Sequence, residues 1–289
     1  MKNKLKPFWG LLFALVVLAP LAAGAHQPNI VTQSPTAVTD PEISRAYYGR
    51  LSGAPQIFQI YSPQEFTFYA GLLIPDRPGQ KQDVSAEIYR IIETEEGIEY
   101  SPIAFLDGNN FDWQPYYEEF GADYYFNGPE FEQQLPEGNY EIKVFSPEND
   151  SRYSLAIGKI ESFPPSIIIK TLIIVPQLKR DFFASSPFTF LKSPFGIAYV
   201  VIMLVLAFIV GFIYKIIARK VSRQEVRRRR RNIGTRDRLT RLVIGVILLL
   251  LGIYFWNPVI LFLAGFLLFE AAFSWCALYA ALGKNSCPL

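Results

Sequence analysis

Residues Phe195 to Tyr214 form 20 consecutive positions without a charged side chain. As a helix rising about 1.5 Å per residue, that run is about 30 Å long, the thickness of a bilayer's hydrocarbon core. It is followed at once by Lys215, Arg219, Lys220 and Arg223, and then by the run Arg227 to Arg231. Basic residues beside a span stay on the cytoplasmic side. The chain is therefore expected to be a membrane protein, with residues before 195 outside and residues after 214 inside.

The amino terminus points the same way. Lys2, Lys4 and Lys6 precede an apolar run from Phe8 to Leu18, and Ala23-Gly24-Ala25 supplies small residues before His26. This is the pattern of a secretory signal over residues 1–25. An uncleaved anchor is the alternative, and both export the segment that follows. Charge is segregated accordingly. Residues 26–194 carry 12 Lys/Arg against 23 Asp/Glu, whereas residues 215–241 carry 12 Lys/Arg against Glu225 and Asp237. Two regions so opposed meet different surroundings. The basic linker 215–236 is expected to meet anionic lipid, and nucleic acid is not an expected partner.

The exported segment reads as β structure. Residues 27–55 are rich in Pro and Gly and suit an extended lead-in with an edge strand. Phe66, Phe68, Ala70 and Leu72 alternate with Thr67, Tyr69 and Gly71. Ser85 to Ile92 is a further strand. Tyr140, Ile142 and Val144 lie on one face of the clearest one, and Tyr153, Leu155 and Ile157 alternate after the turn Pro147–Asp150. Short strands separated by turn residues predict an antiparallel, jelly-roll-like β-sandwich over 26–162. The hairpin from Gly138 to Ile157 resembles the closing hairpin of bacterial pre-peptidase C-terminal domains, small β-sandwiches attached to secreted enzymes. That resemblance implies a fold and no activity.

Residues 163–194 form a juxtamembrane segment. Ser166 to Val175 is apolar but too short to span, and Leu178 to Phe183 and Phe188 to Lys192 mix aromatics with cations. A segment lying at the headgroup boundary and a last strand with a linker are both open readings. The span 195–214 follows, then the linker, then an apolar hairpin over 237–289. Leu242 to Trp256 and Val259 to Phe269 are separated by Asn257-Pro258, a turn breaker. The first helix is expected to begin near Asp237 and the second to continue through Glu270 to about Leu282. This gives three spans after signal cleavage, in the bacterial inner membrane, with the sandwich periplasmic and the carboxyl terminus cytoplasmic.

Asn232-Ile233-Gly234-Thr235, Asp237-Arg238, Arg241, Gly245 and Leu251-Gly252, with Cys276-Ala277-Leu278-Tyr279, Leu282-Gly283 and Cys287, resemble the YgaP-like inner-membrane domain. That small two-helix family has no assigned biochemical function. Its members usually carry Pro after the first Cys, where this chain has Ala277. Some members carry a fused sulfurtransferase domain. These 289 residues contain none, so that activity does not carry over.

Composition narrows the chemistry. The only histidine is His26, which excludes a His-rich zinc site and leaves that one imidazole as the sole candidate for Ser-His-Asp or Cys-His catalysis. Cys276 and Cys287 are the only cysteines, so the exported segment has no disulfide. No cofactor, no metal and no catalytic residue is expected. The candidate ligand-binding segment comprises Trp113, Tyr116, Tyr117, Glu118, Glu119, Asp123, Tyr124 and Tyr125. Flat aromatic faces beside carboxylates suit an envelope glycan or a protein ligand. The same pattern also arises when alternate aromatics fill a core. Asp107 to Asp112 has oxygen ligands at alternate positions, but it reads as a turn. In the hairpin, Gly245, Gly252 and Glu270 are singled out. Glycines permit close helix packing, and an intramembrane carboxylate requires a partner. Three functions follow: a binding or adaptor module, a membrane scaffold whose hairpin pairs with itself, as a homo-oligomer, or with another protein, and an envelope hydrolase using exported carboxylates.

Overall fold

The computed structural model describes residues 26–95, 97–221, 231–282 and 286. Residues 1–25, where a signal is expected, most of the linker's arginine run and Cys287 lie outside the described residues. The chain divides between Ser186 and Pro187 into two compact units.

The first unit is a two-layer β-sandwich. Its strands are β1 (Gln27–Ile30), β2 (Thr36–Val38), β3 (Arg45–Arg50), β4 (Gln56–Ser62), β5 (Phe66–Pro75), β6 (Ser85–Thr94), β7 (Gly97–Leu106), β8 (Gln114–Glu118), β9 (Asp123–Leu135), β10 (Gly138–Phe145) and β11 (Arg152–Ile157). One sheet has the order β1-β3-β11-β5-β9-β8, the other β2-β4-β10-β6-β7. The register follows the period-two pattern. Ile142 lies opposite Phe58 on one side and Ile88 on the other, and all three point into the core. Phe66, Phe68, Ala70, Leu72 and Ile74 line the facing sheet from β5. Side chains of this size each contribute roughly 1.5–3 kcal/mol when fully buried.

The lead-in differs from the expectation. Residues 27–55 hold three strands, and β1 and β2 add at the sheet edges parallel to β3 and β4. The chain crosses from one sheet to the other between β1 and β2, so each runs alongside a later strand in the same direction. The sheets are therefore mixed, with antiparallel centres.

Residues Pro165–Asp181 form a helix, α1, and not a last strand. Its Ile174, Val175, Leu178, Phe182 and Phe183 close over Ile30, Tyr48, Leu73 and Tyr125 on the outer face of the β5–β9 sheet. Arg77 Nη1 donates to the Phe182 carbonyl (2.9 Å), and Lys170 Nζ donates to Asn29 Oδ1 (2.9 Å).

The second unit holds a 3-10 turn (Pro187–Lys192), α2 (Pro194–Val221), α3 (Thr235–Phe255), α4 (Pro258–Phe273) and α5 (Ala277–Leu282). Two of its helices, α2 over Pro194–Ala218 and α3, are long and apolar enough to cross a membrane; α4, at 16 residues, is shorter. Glycines sit at the helix contacts. A Cβ on Gly252 would meet Leu261 Cδ2 at 2.8 Å, one on Gly245 would meet Leu268 Cδ2 at 3.1 Å, and one on Gly265 would meet Ala207 Cβ at 2.8 Å. Trp256 closes α3 with φ of 49°, donates from its indole to the Pro187 carbonyl (2.9 Å), stacks on Tyr199 and meets Phe190 at a tilt. Asn257 caps α4 by accepting from the Val259 and Ile260 amides.

The second hairpin helix does not run unbroken to Leu282. It stops at Ser274, whose φ is 50°, and resumes at Ala277. Trp275, wholly buried, and Cys276 fill the break.

Candidate functional site

The aromatic-acidic segment folds as the edge hairpin β8–β9, and the hairpin sorts its residues into two groups. Trp113 belongs to the core. It is 5% exposed, its indole donates to the Gly108 carbonyl (2.8 Å), and its ring lies against Gly128, where a Cβ would not fit. Tyr125 is also buried, beneath α1. Its hydroxyl is 3.0 Å from that of Tyr48, and its ring meets Phe183 edge-on at 5.0 Å. Tyr116, Tyr117 and Tyr124 are open to solvent, Tyr124 at 60%. Tyr117 and Tyr124 are register partners on adjacent strands, with ring centroids 4.8 Å apart. Such cross-strand aromatic pairs are favourable, and this one presents its rings outward at a sheet edge.

The acids divide similarly. Glu119 is exposed. Glu118 folds back over the turn and accepts from the amides of Phe120 (2.8 Å) and Gly121 (2.7 Å). Burial raises its carboxyl above the ordinary range, against the pull of those amides. Asp123 is buried, and desolvation pushes its pKa up to about 6 even though Lys179 opposes the shift. Lys179, from α1, is fully buried. Its ammonium donates to Asp123 Oδ1 (2.7 Å), to the Ala122 carbonyl (3.1 Å) and to the Gly121 carbonyl.

A cavity of about 60 Å³ lies between the hairpin and α1, lined in part by His26, Tyr48, Tyr116, Glu118, Asp123 and Tyr125. It has room for water, not for a sugar or peptide. His26 Nδ1 is 2.6 Å from Ser44 Oγ, and burial lowers the ring's pKa. At the turn after β7, both Asp107 oxygens accept from donors of the same loop, Asn109 and Asn110. Among the described residues no group of three metal-ligating side chains occurs.

The second polar constellation lies at the helix break of the hairpin. Asn232 grips the irregular backbone there. Its Oδ1 accepts from the Cys276 amide (2.6 Å), its Nδ2 donates to the Cys276 carbonyl (2.9 Å), and its own amide donates to the Ser274 carbonyl (3.0 Å). Glu270 is 3% exposed; one oxygen pairs with Arg241 and the other accepts from the Ala277 amide (3.1 Å). Arg238 Nε donates to the Ala271 carbonyl (2.7 Å). Tyr279 and Ser286 both donate to Asp237. Asn232, Asp237, Arg238, Arg241, Cys276, Ala277 and Tyr279 are separated by up to 47 positions in sequence and meet in one clasp.

The chain carries a known domain at this place. Residues 229–289 match the family described as inner membrane protein YgaP-like, transmembrane domain. The match covers the hairpin and its clasp and none of the sandwich. This is thus a membrane protein with a YgaP-like domain and a β-sandwich domain. No curated protein matches the chain. Among solved structures, the chain is similar to the pre-peptidase C-terminal domain of a collagenase from Bacillus anthracis. The identity is 10%, the alignment covers 46% of this chain and 95% of that one, and the TM-score is 0.25. It is the domain type that the Gly138–Ile157 hairpin resembles.

Two participants were not legible in the sequence. A lysine at 179 reads as solvated, and only the fold brings it to Asp123. Arg241 stands 29 residues before Glu270, and only antiparallel packing of α3 on α4 pairs them. A charge on each of two facing apolar helices is the signal that could have found the second pair.

Proposed function

We propose that this is a bacterial inner-membrane protein whose exported sandwich binds an envelope glycan at the β8–β9 edge. The observation that carries the reading is the exposed pair Tyr117 and Tyr124, with the exposed Glu119 near it; Tyr116 faces the other way, toward Tyr125. Flat rings with polar rims, next to a free carboxylate, suit the apolar face and hydroxyls of a sugar. Trp113, Tyr125, Asp123 and Glu118 support the edge and are not contact residues. Signal cleavage, three spans and a periplasmic sandwich complete the reading. A reporter fused after Lys220 is then cytoplasmic, and one inserted at Asn149 is exported.

The scaffold alternative loses part of its support. Gly245 and Gly252 lie against Leu268 and Leu261 within the same hairpin, and Gly265 lies against α2. Those small surfaces are engaged inside one chain. The hydrolase alternative has buried, amide-bound or lysine-bound carboxylates at Glu118 and Asp123. Neither oxygen pair is open to a substrate across a cleft, as glycoside hydrolysis needs.

The test uses the full chain in nanodiscs and soluble peptidoglycan fragments as probe. Tyr117→Ala with Tyr124→Ala should weaken binding roughly tenfold, at about 0.5–1.5 kcal/mol for each ring. Unchanged binding by the double variant rules out this edge as the ligand site.

A further inference from the structure

We propose that Lys179 is the positioning residue of the β8–β9 edge, so that the binding face exists only while α1 is docked. This rests in part on the glycan-binding reading above, since that reading gives the edge its task. The geometry stands independently of it.

The turn that joins β8 to β9 is short and unfavourable in itself. Ala122 sits at φ of 56°, in the left-handed region that residues with a Cβ avoid. Gly121 and Ala122 both direct carbonyls to the protein interior, where each needs a donor. Glu118 satisfies the amides of this turn from one side. Lys179 satisfies its carbonyls from the other, and Asp123 neutralises the ammonium that does so. The Phe183 ring lies 6.0 Å from the same nitrogen. A primary ammonium carries three N–H donors, and three oxygens of the turn receive them. The conformation of the turn fixes the start of β9, and so the opposition of Tyr124 to Tyr117.

The donor comes from a helix that the strands do not need for their own pairing. α1 is also held by Arg77, Lys170 and its apolar face, so it stays seated when Lys179 alone is changed. It is the last helix of the sandwich unit before the chain enters the membrane unit at Pro187. Through Lys179 the edge and α1 share one conformational state. By linkage, a ligand that orders the edge also protects α1.

The experiment is hydrogen exchange of the full chain in nanodiscs, read separately for residues 114–124, α1, β10 and β11. Lys179→Met should raise exchange in 114–124 tenfold or more, leave β10 and β11 unchanged, and weaken fragment binding as far as the double tyrosine variant does. Asp123→Asn, which keeps the donors on the carbonyls but removes the counter-charge, should loosen 114–124 less than Lys179→Met does. Lys179→Met combined with Asp123→Asn removes the buried charges together and should still loosen the edge, which separates positioning from charge burial. If 114–124 keeps its protection in both lysine variants, the proposal is overturned, whatever the tyrosines do. If the tyrosine variants bind normally while the lysine variants loosen the edge, the glycan reading fails and the positioning role stands.

Discussion

Removing the guanidinium from Arg241 should damage the hairpin more than removing the charge from Glu270, and removing both should recover much of the loss. Glu270 is 3% exposed and has three partners, Arg241, the Ala277 amide and the Cys276 thiol. Arg241→Met leaves the carboxylate with neutral donors alone. An uncompensated buried charge of this kind costs roughly 3–5 kcal/mol. Glu270→Gln keeps an acceptor for Ala277 and leaves a guanidinium that is part-exposed and lies 5.2 Å from the Tyr279 ring. Its cost is about 1.5–3 kcal/mol, in the range of a single hydrogen bond to a charged group. The double variant carries no buried charge and should lie below Arg241→Met alone, giving a coupling of about 2–3 kcal/mol. The cycle is measured by unfolding in mixed detergent–SDS micelles, followed by helical circular dichroism. Ordinary polar contacts between membrane helices average about 0.6 kcal/mol. A coupling no larger than that would refute the view that this pair holds the hairpin.

Three further outcomes are expected. Ala277→Pro fits the first turn of α5 sterically but deletes the amide bonded to Glu270, so it should cost about 1.5–3 kcal/mol in the wild type and far less in Glu270→Gln; equal losses in both backgrounds would contradict this. Asp123 has a folded pKa of about 6 against about 3.9 unfolded, so its contribution is fully present below the unfolded value and is lost as pH rises through 6. Urea unfolding of the sandwich, followed by exchange at β10, should therefore lose on the order of 2–3 kcal/mol from this residue between pH 4 and 7. His26 works in the opposite direction, because its lowered pKa withdraws stability as pH falls below 6.5. Asp123→Asn should remove the first component only; identical pH profiles would show that the shift has no energetic weight. Gly252→Ala should disturb the hairpin more than Gly245→Ala, since the added carbon approaches the Leu261 backbone amide at 3.1 Å in the first case but only side-chain atoms of Leu268 and Leu267, at 3.1–3.4 Å, in the second; the reverse order of SDS midpoints would sink this contact assignment.

Elements that are periodic or apolar over their whole length could be read from the sequence. The β10–β11 hairpin, the strand at Phe66, the span after Pro194 and the α3–α4 hairpin all declare themselves through spacing and composition. Helix α1 does not. Ile167, Ile168, Ile169, Ile173, Ile174 and Val175 are β-branched and suit a strand, and Pro176 lies inside the helix. Packing on the outer face of a sheet overrides those local preferences. The division of the tyrosines has the same origin. Alternation places Tyr124 and Tyr125 on opposite faces of β9, but which face is covered depends on a helix some 40 positions later. The break at Ser274 carries no Gly or Pro, and its backbone is held by Asn232, 42 positions earlier. Such long-range clasps have no local signature.

The early end of α4 has a consequence for the bilayer itself. A helix of 16 residues rises about 24 Å, some 6 Å less than a typical hydrocarbon core. In the three-span arrangement proposed here, the Ser274–Cys276 backbone then stands at a depth where no water can serve its amides and carbonyls. Asn232 supplies what water would: one acceptor and two donors, placed on that segment. A hairpin of this length fits a thin membrane without distortion and a thick one only by drawing the headgroups inward. Acyl-chain length is therefore the natural quantity to vary when the protein is reconstituted.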